Sequence, residues 1–426
     1  MSRLISYYGD DFTGSADVME ALATHGVETV LFTRLPTASE FAPYKDHAAI
    51  GLAGISRSQT PEWMDAHLPS IYHWLKTLGA RFCHYKVCST FDSSPHVGSI
   101  GRATDIGAAL FGQAMVPLVV GAPQLRRYTF AGHLFAAYQG ETYRVDRHPV
   151  MSRHPVTPMH EADLRLHLAQ QTALPTRLAN QQWPATGLGL LDVHDAATQL
   201  AAGKRLLDWT GGFVVGSSGV EYALMKALAA EGRIPGGADF APLAAMPQTV
   251  VVSGSVSATT ERQIKYALRH GFDAVPVDAV ALASNTPGVR QAAIAAALNT
   301  LNSGKSPLIH TALGPSSDEG EKLNSIADGR KNIGEGLGSI LKAVLEATGL
   351  RRALVAGGDS SSHALGQLNI FALTTRMPLA TTPGSPLCVA SSNTAELNGI
   401  EIALKGGQVG GDDYFVRLRH GTPDSQ

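Results

Sequence analysis

The chain alternates between short apolar segments and longer segments with helical periodicity. Many of the apolar segments lack a clean polar/apolar alternation, which indicates strands that are covered on both faces. They span residues 4–8, 28–32, 48–54, 82–87, 116–121, 188–193, 213–216, 249–253, 274–277, 308–312, 353–356 and 400–405. Helical patterns lie between several of them, as at residues 15–24, 259–270 and 336–347. This order predicts an α/β fold with mainly parallel sheets.

One segment, residues 231–248, interrupts the alternation. It holds three glycines and three prolines, which break regular elements, and a new strand follows at once. The chain has 426 residues, which is too many for one ordinary core. We therefore predict two α/β domains, residues 1–235 and residues 245–420, with an active-site cleft between them.

Composition narrows the classes of partner. The chain has 34 basic and 36 acidic residues and a net charge of −2, which gives no reason to expect a nucleic-acid or membrane partner. Its three cysteines are too few for a disulfide framework or a zinc site, which fits a reduced, cytoplasmic setting. No apolar run reaches the roughly 20 residues that span a bilayer, and the N-terminus lacks a signal-peptide pattern. A homodimer is expected only because soluble oligomers are most often dimers.

The most informative motif is Gly357-Gly358-Asp359, which follows an apolar run and precedes a helix start rich in hydroxyl groups, including Ser360. A strand, a glycine turn and a helix N-terminus together form a phosphate site, because free N–H groups and the helix dipole face the anion. A carboxylate beside a phosphate is repelled unless a metal or a proton-transfer role offsets the repulsion. The acid therefore indicates phosphoryl transfer.

Two further turns of small residues follow strands in the second half. Ser255 lies in Ser-Gly-Ser after one strand, and Gly406-Gly407 follows another. The first turn is equally explained by helix capping. The chain lacks the Gly-x-x-x-x-Gly-Lys-Ser/Thr loop and a well-placed Gly-x-Gly-x-x-Gly, so it is neither a P-loop kinase nor a dinucleotide dehydrogenase.

Charged residues follow three strands of the first half. Asp10 and Asp11 follow the first strand, Arg57 follows the third, and Lys86 ends the next, just before Cys88. Ligands of open α/β sheets bind at the carboxyl ends of strands. A guanidinium and an ammonium there suit a carboxylate, and a carboxylate suits hydroxyl groups, so a small hydroxy acid is predicted. The alternative is that both aspartates only cap the turn and the helix.

Together these elements resemble the four-carbon acid sugar kinase family. The resemblance spans nearly the whole chain and rests on motifs that occur in the family's order. They are Asp10-Asp11-Phe12-Thr13-Gly14, Lys86-Val87-Cys88-Ser89-Thr90-Phe91-Asp92-Ser93, Ser253-Gly254-Ser255, Gly357-Gly358-Asp359-Ser360-Ser361 and Lys405-Gly406-Gly407-Gln408-Val409-Gly410.

The resemblance implies an N-terminal domain that binds a sugar acid and a C-terminal domain that binds a nucleotide. Substrate contacts are expected at the residues around the first strand ends, namely Asp10, Asp11, Arg57, Lys86, Val87, Cys88 and Ser89. Nucleotide contacts are expected at the small-residue turns, namely Ser255, Gly357, Gly358, Asp359, Ser360, Gly406 and Gly407.

The predicted reaction is ATP-dependent phosphorylation of the terminal hydroxyl of threonate, erythronate or a 3-oxo-tetronate. Mg²⁺ would bridge the phosphates with few protein ligands of its own. Asp359 is the first candidate for the base and Asp11 the second. Two alternatives remain: a sugar-acid hydro-lyase or aldolase that uses Lys86, and a sugar-acid or nucleotide sensor without turnover.

Overall fold

A computed structural model of the chain describes residues 3–379, 382 and 384–421. The side chains of Asp359, Ser360 and Ser362 lie outside this description. The chain forms two compact units that divide between Asp239 and Phe240.

The first unit contains a parallel sheet flanked by helices and a small antiparallel sheet. Its strands are β1 (Ile5–Gly9), β2 (Thr29–Phe32), β3 (Ala49–Ala53), β4 (Phe82–Lys86), β5 (Met115–Val119), β6 (Arg127–Phe130), β7 (His133–Tyr138), β8 (Glu141–Arg144), β9 (Thr176–Leu178), β10 (Gly187–Leu191) and β11 (Phe213–Gly216). Its helices are α1 (Phe12–Ala23), α2 (Ala38–Phe41), α3 (Pro61–Thr77), α4 (Ile100–Phe111), α5 (Leu164–Leu168), α6 (Ala196–Asp208) and α7 (Gly219–Ala230).

The parallel sheet of this unit has the order β2-β3-β1-β4-β11-β5-β10-β9. Its central strands are buried along their full length, which explains their unbroken apolar sequences. The Tyr7 ring of β1 lies so close to Gly51 of β3 that an added Cβ would be 2.1 Å from Tyr7 Cζ. The glycine therefore makes room for an aromatic side chain between neighbouring strands.

The second unit also contains a mainly parallel sheet whose strands alternate with helices. Its strands are β12 (Val250–Ser253), β13 (Phe272–Pro276), β14 (Ser306–His310), β15 (Arg352–Ala356), β16 (Ile370–Met377), β17 (Leu387–Ser392) and β18 (Glu401–Lys405). Its helices are α8 (Ala258–Leu268), α9 (Ala279–Ala283), α10 (Val289–Asn302), α11 (Gly320–Asn324), α12 (Gly329–Thr348), α13 (Gly358–Gln367) and α14 (Tyr414–His420). Within this unit the strand order is β13-β14-β12-β15-β18-β17-β16.

The predicted α/β class and the mainly parallel sheets are confirmed. In the second unit, β12 to β15 and β18 run parallel, whereas β17 is antiparallel to both β16 and β18. Three sets of strands were not predicted: the antiparallel β6-β7-β8 sheet of the first unit, the short strand β9 at the end of its parallel sheet, and the pair β16 and β17 of the second unit. Among the residues with described structure, no helix is both long and apolar enough to cross a bilayer.

Candidate active site

The structure gathers the charged residues of the first unit into one cluster at the carboxyl ends of β1, β3 and β4. The Arg57 guanidinium binds Asp10 through Nε to Oδ2 at 3.1 Å and through Nη2 to Oδ1 at 2.7 Å. It also binds Asp11 through Nη1 to Oδ2 at 2.7 Å and through Nη2 to Oδ1 at 3.0 Å. Four of its five N–H groups are therefore committed to the two carboxylates.

Asp11 has a second task, because it is the N-cap of α1. Its Oδ1 accepts a hydrogen bond of 2.7 Å from the Gly14 N–H, which is otherwise an unsatisfied donor of the first helical turn. Asp11 thus caps α1, as the alternative prediction proposed, and Arg57 fixes the position of its carboxylate. Burial lowers the pKa of Arg57, but the charges of Asp10 and Asp11 outweigh it and raise that pKa well above its ordinary value.

Lys86 completes the cluster. Its side chain is buried, and Nζ donates to the Val87 carbonyl at 2.9 Å. An added Cβ on Gly14 would lie 2.8 Å from Lys86 Nζ and 2.6 Å from Asp11 Oδ1, so both groups face the first turn of α1. The buried Asp17 of the same helix also interacts with the Lys86 charge. This partner was not predicted, because Asp17 lies on the buried face of a helix with no motif that marks it.

The segment after Lys86 continues as a short polar chain. Val87 is buried in the core, whereas Cys88 and Ser89 are half-buried. Cys88 Sγ lies 2.9 Å from Thr90 Oγ1, and Thr90 donates to Asp92 Oδ1 at 2.6 Å. Burial raises the pKa of the Cys88 thiol, so this group is neutral near pH 7.

Asp92 stays ionised in this segment. Burial alone would raise its pKa, but the Arg57 charge and the Thr90 hydroxyl hold the pKa of Asp92 below its ordinary value. The predicted substrate-binding residues of the first unit therefore lie together. Asp17 and Asp92 add two carboxylates, of which Asp92 stands in the motif after Lys86 but had no predicted role.

The small-residue turns of the second unit lie on neighbouring strands. They follow β12, β15 and β18, which are adjacent in the sheet order. The Gly254 N–H donates to the Ala356 carbonyl at 3.0 Å, and the Gly357 N–H donates to the Lys405 carbonyl at 2.9 Å. An added Cβ on Gly407 would lie 2.9 Å from Ser255 Oγ, so the first and third turns are in contact.

The central turn joins β15 directly to α13 through two glycines. Gly357 has φ of 122°, a conformation that side chains disfavour, and α13 begins at Gly358. Apart from the chain neighbours and the backbone of α13, no atom of the described residues lies within 4 Å of an added Cβ on Gly358 or Gly406, so the space beside both residues is open in this part of the structure. The backbone of Asp359 and Ser360 lies in the first turn of α13. The side chains of these two predicted residues lie outside the described part of the structure.

Lys405 lies next to these turns and has no carboxylate partner among the described side chains. It is 1% exposed, and its Nζ bonds Thr260 Oγ1 at 3.0 Å. Thr260 Oγ1 in turn bonds the Gly407 carbonyl at 3.1 Å, which links the ammonium group to the third turn. Burial without an anion lowers the pKa of Lys405 to about 8. The turn after β18 was predicted from the sequence, but no role was predicted for Lys405. That this lysine is buried without a carboxylate partner among the described side chains becomes clear only from the fold.

Comparisons with known proteins match the two parts of the chain to two different domain families. Residues 5–230 match a family described as a sugar-binding N-terminal domain, and residues 250–415 match one described as a nucleotide-binding C-terminal domain. A 3-oxo-isoapionate kinase from Paraburkholderia graminis is 40% identical, over 98% of this chain and 94% of the relative. A 3-oxo-tetronate kinase from Methylobacterium radiotolerans is 28% identical, over 98% and 99% of the two chains.

Two solved structures share the fold. A Haemophilus influenzae protein of the family DUF1537 has a TM-score of 0.75 at 24% identity, over 97% of this chain and 99% of the other. A Salmonella typhimurium protein described as a putative tRNA synthase has a TM-score of 0.79 at 25% identity, over 97% and 98%. The named kinases favour the predicted kinase over the hydro-lyase, aldolase and sensor alternatives.

Replacing Gly358 by alanine tests whether the open space beside α13 receives phosphate. We expect unchanged or slightly higher stability, by up to about 1 kcal/mol, because alanine has less backbone freedom to lose in a helix. We expect ADP to bind at least about tenfold more weakly, because the methyl group blocks the approach to the backbone N–H groups. Calorimetric titration and thermal unfolding measure the two effects.

The matched control is Gly366→Ala, since an added Cβ at Gly366 of the same helix also meets nothing within 4 Å. This variant should keep the ADP affinity of the unchanged protein. Normal ADP binding by Gly358→Ala would show that the phosphates bind elsewhere.

The Lys405 pKa of about 8 predicts that ADP affinity depends on pH. A polyphosphate prefers the protonated ammonium, so affinity should be highest below pH 8 and fall as pH rises through this value, by up to about tenfold at pH 9. The phosphate groups, with a second pKa of about 6, do not titrate there. ADP titrations from pH 7.5 to 9.5 measure the slope, and Lys405→Arg, which stays charged, should remove it. A slope that persists in Lys405→Arg would assign the effect to another group.

Proposed function

The chain belongs to the four-carbon acid sugar kinase family, and from this premise we propose that it transfers the γ-phosphoryl group of ATP to a hydroxyl group of a small sugar acid. The acceptor oxygen forms a bond to phosphorus as the bond to the β–γ bridging oxygen breaks. ADP leaves, and the hydroxyl proton passes to a base. Such a transfer depends on positioning and charge stabilisation more than on covalent catalysis.

The observation that carries this proposal is the set of three adjacent turns beside Lys405. Open space at Gly358, a helix N-terminus and a buried ammonium without an anion are together suited to a polyphosphate. In the first unit, Asp10, Asp11 and Arg57 form a cluster of donors and acceptors at strand ends, which suits a polyol acid.

For the acceptor we propose a 3-oxo sugar acid. 3-oxo-isoapionate is the first candidate, because it is named in the relative that is 40% identical. 3-oxo-tetronate follows, because it is named in a relative that is 28% identical. Threonate and erythronate, which the resemblance to the family also implies, complete the set.

Mg²⁺ is proposed to accompany the nucleotide and to neutralise phosphate charge. Among the residues that the structure describes, no group of three or more His, Cys, Asp or Glu side chains is placed to hold a metal ion. The phosphate oxygens and water would therefore supply most of its ligands, as is usual for this ion.

For the base we propose Asp359, with Asp11 second. Asp11 already accepts hydrogen bonds from the Gly14 N–H and from Arg57, and taking up a proton would weaken these bonds. Asp359 lies in the first turn of α13, next to the proposed phosphate position. A carboxylate there can take up the proton of the acceptor hydroxyl.

An ADP-release assay tests the proposed reaction. With ATP and Mg²⁺ we expect turnover with 3-oxo-isoapionate or 3-oxo-tetronate, and less with threonate and erythronate, because the 3-oxo acids are named in the relatives. Without an acceptor, ADP release should be slow because the transferred group then lacks its nucleophile. ATP binding without ADP release for any of the four acids would refute the proposed activity.

Asp359→Asn tests the base. The change keeps the size of the side chain and removes its capacity to take up a proton. We expect kcat to fall by well over tenfold while the ADP affinity changes little. Turnover within about tenfold of the unchanged protein, a barrier difference of about 1.4 kcal/mol, would exclude Asp359 as the base. Asp11→Asn, which retains a good N-cap residue, serves as the comparison variant.

A further inference from the structure

Sugar-acid recognition needs a positive charge that is not already neutralised. Arg57 does not meet this need, because its hydrogen bonds bind it to Asp10 and Asp11. Lys86 interacts with the charges of Asp10 and Asp17. The positive charges of Arg57 and Lys86 are therefore already balanced by neighbouring aspartates of the chain.

Arg127 is a different case. It forms no ion pair with any carboxylate that the structure describes, and its Nη1 donates only to backbone carbonyls, those of Leu125 at 3.0 Å and Arg126 at 3.2 Å among them. Its Nε is buried and has no hydrogen-bond partner among the residues that the structure describes. An unsatisfied buried donor is costly unless another group completes it.

The fold fixes Arg127 at the edge of the sheet that carries the cluster. Arg127 is the first residue of β6, and its backbone pairs with Ala122 through bonds of 2.9 and 3.1 Å, just beyond the carboxyl end of β5. In the sheet order β5 lies next to β11, and β11 lies next to β4, which ends at Lys86.

Electrostatic interactions give the same location. The Cys88 thiol interacts electrostatically with both Arg57 and Arg127, so it lies near the paired guanidinium and near the unpaired one. Burial without an anion lowers the pKa of Arg127, and a bound carboxylate would reverse that effect.

We propose that Arg127 binds the carboxylate of the acceptor beside Cys88 and thereby selects acids over neutral sugars. This inference rests on the proposed function, since it assigns one group of the proposed acceptor. The hydroxyl groups of the acceptor would meet the cluster of Asp10, Asp11 and Arg57. A guanidinium suits a carboxylate because its N–H groups form parallel, charge-assisted hydrogen bonds.

The test compares two ligands that differ only at the charged end, erythronate and the neutral polyol erythritol, by calorimetric titration without ATP. We expect the unchanged protein to bind erythronate at least tenfold more tightly than erythritol. Arg127→Met should weaken erythronate binding by about 10- to 100-fold and leave erythritol binding unchanged. Arg127→Lys should retain part of the preference, because it keeps the charge and loses the planar fork.

Arg126→Met is the matched control, because it removes the same charge from the adjacent, exposed residue, whose side chain bonds the Gly140 carbonyl. It should keep the preference for erythronate. Equal weakening of both ligands by Arg127→Met would show that Arg127 only braces its hairpin, and would overturn the inference. Absence of any preference for erythronate in the unchanged protein would overturn it as well.

The titration separates this inference from the proposed activity. Binding of erythronate that depends on Arg127, in a protein that releases no ADP with any acid, refutes the kinase proposal alone. Turnover with a sugar acid whose KM is the same in Arg127→Met refutes the role of Arg127 alone.

Discussion

Parallel strands bring all their carboxyl ends to one edge of a sheet, and every candidate functional group of this chain depends on that constraint. In the first unit, Asp10, Arg57 and Lys86 come from different parts of the sequence, yet β1, β3 and β4 end side by side. In the second unit the same rule joins the turns after β12, β15 and β18. The chemistry of each unit is therefore set by the residues that end the buried strands and by those in the turns that follow them.

The two ends of strand β18 carry charged residues with different partners. At its start, Glu401 binds the buried Arg352 through a bond of 2.6 Å to Nε, and Arg376 adds a second guanidinium. At its end, the buried Lys405 contacts the Thr260 hydroxyl and the Tyr414 ring but has no carboxylate partner among the described side chains. A buried charge is costly unless it is paired. The pairing at Glu401 suits a structural role, whereas Lys405 is charged at a position where a bound anion would supply the missing partner.

The sequence predicted most of the parallel framework and the positions of the turns, because buried strands and glycine turns have local signatures. It missed β6 to β8, the three-residue strand β9, and the pair β16 and β17. Strand β6 is only partly buried, so it lacks the unbroken apolar run that marks the strands of the parallel sheet. The role of Arg57 was beyond local reasoning too, since its bonds to Asp10 and Asp11 span more than 40 residues of sequence. Whether a cation is free for a ligand depends on the anions around it, and these are known only once the chain is folded.

The two units thus position their polar groups by the same structural rule. Each places hydrogen-bonding groups in a fixed arrangement at strand ends, through the Arg57 cluster in one unit and through the turns around Gly357 and Gly407 in the other. Each also keeps one partly or fully buried cation, Arg127 or Lys405, without an ion pair among the described side chains. Side chains that are already paired keep a fixed orientation, because their hydrogen bonds restrain them. A cation without a paired anion can bind an anionic ligand without first breaking an ion pair. A protein that must bind two different anions benefits from this separation, since each charge can be selected without disturbing the framework that positions the reacting atoms.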